Sequence, residues 1–197
     1  KGMVAYDLVG LPDAAVKESK ERVRSAVKNS VLRFPVSKIT VNLAPADIKK
    51  EGSHYDLPIA VSILKASDQL PYDTDGVVFL GELALDGALR AVTGMLPMLI
   101  SAKARGFRRF VIPAVNANEA SFIEGAEVYA LKSLKEVVGF LSGEMRFQPV
   151  AHRSYESVRR ERAYNCDLSY VKGQRIAIRA LEIAAAGGHN ILLVGPP

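Results

Sequence analysis

The chain has 197 residues, 49% of them hydrophobic and 24% charged, with 26 Lys and Arg against 21 Asp and Glu for a formal net charge of +5. That composition excludes a disordered or fibrous class, and no apolar run approaches the roughly 20 residues a membrane-spanning helix needs. Cys166 is the single cysteine, so an internal disulfide is excluded. The opening "KGMVAYDLVGLPD" has neither the apolar core nor the cleavage site of a signal peptide, and a cytoplasmic protein is expected. The mild basic excess permits an anionic partner without requiring one.

"VAYDLVG" alternates like a strand, and Pro12 and Asp13 then signal a helix start. Val16, Val23, Ala26, Val27 and Val31 form the inward stripe of that helix, which Pro35 is expected to end. "KITVNLAP" reads as a strand with Ile39, Val41 and Leu43 on one face. The polar turn "EGSHYD" leads into a buried helix, "DLPIAVSILKAS", whose Pro58 falls in the first turn.

"VVFLGELALDGALRAV" reads as two strand-like runs joined at Asp86-Gly87 in a hairpin. Glu82, just before it, is expected to pair with a buried cation or a backbone amide. A helix, "GMLPMLISAKARGF", follows with Gly106 as its stop, then the strand "RRFVIPA", the short helix "NANEASFIEG" and the strand and helix of "EVYALKSLKEVVGFLSGE". Together these imply an α/β sandwich over residues 1–143.

Residues 144–166 turn polar and Arg-rich and read as a linker. Within it "RSYESVRRERAY" crowds Arg153, Arg159, Arg160 and Arg162, which reads as a solvated segment before it reads as a binding patch. A second unit occupies residues 167–197. Ile176, Ala180, Ile183 and Ala184 form the inner stripe of its helix, Gly187-Gly188 stop the helix, and "NILLVG" reads as a parallel strand buried on both faces.

"DLSYVKGQRIAIRALEIAAAGGHNILLVGPP" resembles the opening of the AAA+ module in magnesium-chelatase-like ATPases of the ComM/YifB family. In that family the "VKGQ" element lies near the nucleotide base, and "GPP" runs into the remaining Gly-x-Gly-Lys-Ser/Thr of a P-loop. The resemblance therefore implies a nucleotide site begun by Val171, Lys172, Gly173, Gln174, Gly195, Pro196 and Pro197. It also implies a chain cut inside its ATP-binding motif and trimmed at the N-terminus, inactive by itself, whose parent is a ring-forming ATPase, a hexamer, using ATP and Mg²⁺. No cofactor is expected for the chain as it stands.

The preceding stretches, "VGLPDAAVKESKERVRSAV", "ITVNLAPADIKKEGSHYDLPIAV" and "GELALDGALRAVTGMLPMLISAKARGF", resemble the same family's N-terminal domain. That domain is similar to the proteolytic domain of Lon and to its counterpart in RadA, which implies a Lon-protease-like domain of the ribosomal-protein domain-2-like fold. Laid on the Lon pattern, Tyr55 takes the place of the serine nucleophile and Met98 that of the lysine. A phenol and a thioether supply neither nucleophile nor base. Ser53 stands two residues before Tyr55, and Lys103 points about 140° around the helix from Met98, so no peptidase activity is expected. Met98 is read as a core residue beside Met95, Leu99 and Ala102.

Ser53, His54 and Asp56 are too close in sequence for their side chains to form a triad, and His54, His152 and His189 lack zinc-ligand spacing. His189 is expected to hydrogen-bond near the start of the final strand. The family implies a DNA helicase or branch-migration motor in recombination and natural transformation, with the first domain aiding oligomerisation or DNA guidance. Lys49, Lys50, Arg90, Lys103, Arg105, Arg108 and Arg109 are the candidate phosphate contacts. An ATP-dependent Lon-type peptidase and a magnesium-chelatase motor subunit are the alternatives.

Overall fold

The computed structural model describes residues 6–158 and 167–195, in two units, Lys1–Val158 and Arg159–Pro197. Cys166, Arg159, Arg160, Arg162, Pro196 and Pro197 lie outside the described residues.

In the first unit, strand β1 (Tyr6–Val9) leads into helix α1 (Ala14–Asn29). Asp13 caps α1 by accepting from the Val16 amide at 2.7 Å. The inward stripe is Val16, Val23, Ala26 and Val27, all fully buried. Val31 is not part of it. The helix stops at Asn29, six residues before Pro35, with Ser30 as C-cap, and Val31 sits at φ 63° and 89% exposed. Strand β2 (Ile39–Asn42) pairs parallel with β1, Tyr6 opposite Ile39. Helix α2 (Asp56–Ala66) is mostly apolar and largely buried, with Leu57 and Leu64 at 0% exposure and Ser62 and Lys65 on its exposed side.

The run 77–90 divides between two sheets. Strand β3 (Val77–Phe79) joins a parallel sheet, and only β4 (Glu82–Leu83) and β5 (Leu89–Arg90) form the antiparallel hairpin. Its turn has a three-residue loop. Ala84 exchanges backbone bonds with Gly87 and Ala88, and Gly87 at φ 88° takes the left-handed position such a loop requires. Helix α3 (Met95–Ala104) follows and ends at Gly106 with φ 98°.

Strand β6 (Arg109–Pro113) is the middle of the three-stranded sheet, between β3 and β7 (Glu127–Leu131), all parallel. Its alternation separates two cores. Val111 faces one cluster with α1, α2 and helix α5 (Leu134–Leu141), while Phe110 and Ile112 face the other with α3 and the short helix α4 (Ala117–Ala120). A sheet covered on both faces accounts for the continuous apolar run "FVI". The first unit is thus a mixed α/β structure with parallel sheets.

Residues 144–158 remain part of this unit. Val150 donates its amide to Val128, Arg153 to Ser121, and Phe147 and Val150 add to the two cores. A short helix, α6 (Tyr155–Val158), closes it.

The second unit holds helix α7 (Arg175–Gly187), ended by Gly188 in the left-handed conformation. Its least exposed stripe is not the expected one. Ala184 is its one buried residue and Ala177, Ile178, Ala180 and Leu181 are partly covered, but Ile176 is 89% and Ile183 54% exposed. Residues 191–195 form no strand, and Leu192 and Val194 stand 85% and 89% exposed. A strand needs a partner for its backbone groups, and no neighbouring strand exists among the described residues of this unit. The His189 amide returns to the Ala184 carbonyl at 2.8 Å, a helix-end contact and not a strand-start one.

Candidate functional site

The segment 53–56 is placed from both sides. Backbone bonds join Asp13 to Lys50 and Lys50 to Leu11, while Asp13 Oδ2 accepts from the Gly52 amide at 3.2 Å. On the other side Gly81 donates to the His54 carbonyl and accepts from the Leu57 amide. Ser53, His54 and Tyr55 form one turn of 3₁₀ helix held between these anchors.

From that turn the side chains diverge. Ser53 Oγ donates a short hydrogen bond to Glu82 Oε2, so the partner of Glu82 is a hydroxyl and not the expected cation or amide. Asp56 points inward at 0% exposure, where Arg22 grips both oxygens, Nε to Oδ2 at 2.6 Å and Nη2 to Oδ1 at 3.0 Å. The Leu83 amide donates to Oδ2 as well, at 3.1 Å. Burial pushes the Asp56 carboxyl above its ordinary range, opposed by Arg22 and the Leu83 amide, and the carboxylate in turn raises the guanidinium. This pair ties α1, α2 and β4 together.

His54 and Tyr55 turn the other way. Their rings lie 4.1 Å apart, and both line a pocket of about 630 Å³ whose far wall is α3, with Met98, Ser101 and Arg105, and whose floor is β3. The structure thus brings the two separated positions Tyr55 and Met98 into one cavity. Met98 is half-buried: it packs, with Ala102, against the core cluster that holds the fully buried Met95 and Leu99, and it also forms part of the pocket wall. Lys103, on the same helix, does not line it. Burial raises the Tyr55 phenol and depresses the His54 imidazole, the latter against the attraction of Asp13.

The seven candidate phosphate contacts do not form one surface. Lys50 is 4% exposed and its ammonium bonds the Pro45 carbonyl, which removes it from the set. Lys49 is paired with Glu51 at 2.8 Å, and Arg90 lies opposite Glu82 in the hairpin. Lys103, Arg105, Arg108 and Arg109 do cluster, at the turn from α3 to β6. Arg109 there meets Glu127 at 3.3 Å.

In the second unit, Val171, Lys172, Gly173 and Gln174 precede α7, with Gly173 at φ 71° and Gln174 at φ 41°. Gly195 has open space around it. Exposed and unpaired, residues 191–195 make no phosphate cradle, so the described residues do not by themselves fit a bound nucleotide. Among the described residues no group of three or more His, Cys, Asp or Glu can hold a metal ion, and no helix is long and apolar enough to cross a membrane.

Sequence reasoning missed the Arg22–Asp56 pair and the convergence of Ser101, Arg105 and Phe107 on the pocket. A lone acid opening an otherwise apolar helix was a signal for the first. No signal marked its partner 34 residues earlier.

Residues 1–116 match the family described as "Subunit ChlI of Mg-chelatase", and residues 167–197 that described as "Magnesium chelatase, subunit ChlI". The chain is 45% identical over its whole length to competence protein ComM of Haemophilus influenzae, covering 39% of that protein. It is 44% identical over its whole length to the uncharacterized protein YifB of Escherichia coli, covering 38%. Lon protease 2 of Bacillus subtilis is 28% identical over 62% of this chain and 22% of its own length. The chain therefore spans about two fifths of the length of the first two relatives.

Proposed function

The chain belongs to the ComM/YifB group of magnesium-chelatase-like proteins, and from that premise we propose that it is the DNA-guiding and ATPase-opening portion of an AAA+ motor acting in recombination and natural transformation. Residues 167–197 begin its ATP and Mg²⁺ site, with Val171 to Gln174 near the base and Gly195, Pro196 and Pro197 leading into the phosphate loop. The first unit is a Lon-protease-like domain that has exchanged proteolysis for oligomerisation or DNA guidance. The motor works as a ring, a hexamer, in the cytoplasm.

The observation that carries this reading is the pocket that holds Tyr55 and Met98 together. At the place where the Lon resemblance calls for a serine and a lysine, the cavity offers a phenol and a thioether. Ser53 is committed to Glu82, and Lys103 lies outside the cavity. The basic turn beside it supports an anionic partner.

The experiment is ATP turnover by a full-length ATPase that contains this sequence, with and without forked DNA and with the 197-residue chain as the negative control. Faster turnover with DNA is expected. Turnover indifferent to DNA would turn attention to a protein or porphyrin-pathway partner. The Lon matches keep one second reading in view, an ATP-dependent peptidase. Casein cleavage abolished by Ser53→Ala would establish it in place of the first.

A further inference from the structure

The pocket between the 53–55 turn and α3 has a chemistry of its own. His54, Tyr55, Ser101 and Arg105 line it, and none of the four makes a side-chain hydrogen bond or ion pair among the described residues. Phe107 closes one side and is 40% exposed. No acidic residue lines the cavity. A cavity of a few hundred cubic ångströms with apolar walls and a few convergent, unengaged polar groups is the usual form of a ligand site.

The turn after α3 sets aromatic and basic groups side by side. Gly106 at φ 98° reverses the chain, and the Phe107 amide returns to the Ala102 carbonyl at 3.3 Å. Arg108 folds back on the Lys103 and Phe107 carbonyls, at 2.9 and 3.2 Å, which holds its guanidinium against the turn. Arg105 and Phe107 thus line the pocket, while Arg108 and Arg109 line a separate cleft together with Asp75 and Glu127, where Arg109 is paired with Glu127.

We propose that this pocket takes an unstacked base of single-stranded DNA, held against Tyr55, His54 and Phe107, while Arg105 receives a flanking phosphate. The inference rests on the DNA reading above and names the site and the strand state. A charged surface alone would serve duplex and single strand alike. An aromatic cavity beside it favours the single strand, because only there are the base faces free to stack. Positive charge without acidic lining is the complement of that phosphate.

The test is fluorescence anisotropy of the 197-residue chain with three labelled probes of equal length at one salt concentration: oligothymidine, the same backbone made abasic, and a duplex. Oligothymidine is expected to bind at least about fivefold tighter than the abasic strand, the lower bound of the contribution of one stacked base. Phe107→Ala should abolish that preference with abasic affinity unchanged. Ser101→Trp, an exposed change that fills the cavity, should do the same, and Arg105→Gln should weaken both single strands. Circular dichroism melts identify any variant that fails to fold.

Equal binding of oligothymidine and the abasic strand by the wild-type chain overturns the pocket inference and leaves the DNA reading standing. Binding to none of the three probes overturns the pocket inference too, and DNA-stimulated ATP turnover then decides the wider reading separately. An apolar peptide that binds the wild-type chain but not Ser101→Trp, with oligothymidine indifferent to that change, replaces the base by a peptide segment.

Discussion

Asp56 is the residue on which α1, α2 and β4 converge. Its carboxylate is fully buried and bound by Arg22, whose side chain keeps 20% exposure, and by the Leu83 amide. Removing one member of such a pair leaves the other charge without compensation, so Asp56→Ala should lower unfolding free energy by about 3 kcal/mol, the low end of the range because Arg22 reaches solvent. Urea denaturation measures it. Asp56→Ala combined with Arg22→Met should recover part of the loss, since an apolar replacement strands no charge. His54 offers a second residue-scale test. Desolvation depresses its imidazole below the ordinary 6.5, so the unfolded chain takes up a proton at a pH where the folded one does not. Stability then rises with pH through the window just below 6.5 and falls on acidification through it. The His54 ring signal in an NMR titration should have its midpoint below 6.5, and His54→Gln should flatten that part of the stability curve.

Among the elements, α5 shows how much of a helix was written locally. Ser133 Oγ accepts from the Glu136 amide at 3.2 Å, and Glu136 reaches back to the Lys132 amide at 2.7 Å. This is close to the reciprocal Ser-x-x-Glu cap, and Ser133→Ala should cost about 1 kcal/mol in chemical denaturation. The residues Asp13, Pro58, Asp86-Gly87 and Gly106 likewise marked starts, turns and stops that the structure contains, because each acts through its own backbone or its immediate neighbours. Where a boundary depended on distant packing the reading slipped. Val31 continues the apolar period of α1 but finds nothing to pack on, and the run 77–83 is divided by the demands of two sheets.

At the scale of the molecule the two units differ in how their apolar residues are covered. The first has two clusters on opposite faces of the β3-β6-β7 sheet. Within the second, Ala184 is the one described residue that is buried. A helix of 13 residues with so little packing is marginal. Backbone amides of α7 should therefore exchange with deuterium much faster than those of α1 and α2 in a hydrogen-exchange experiment. Comparable protection in α7 would require a contact that covers Ile176 and Ile183.

The sequence by itself determined the mixed α/β class, most helix and strand positions, the family, and the exclusion of a disulfide within these 197 residues, because composition, periodicity, turn chemistry and motif spacing are local properties. Only the tertiary structure decided that Tyr55 and Met98 share a cavity, that Arg22 reaches Asp56 across 34 residues, that Lys50 turns inward, and that Arg105 and Phe107 stand beside an aromatic pocket. Those facts depend on which elements meet in space, and burial and charge pairing between distant segments leave no period in the chain.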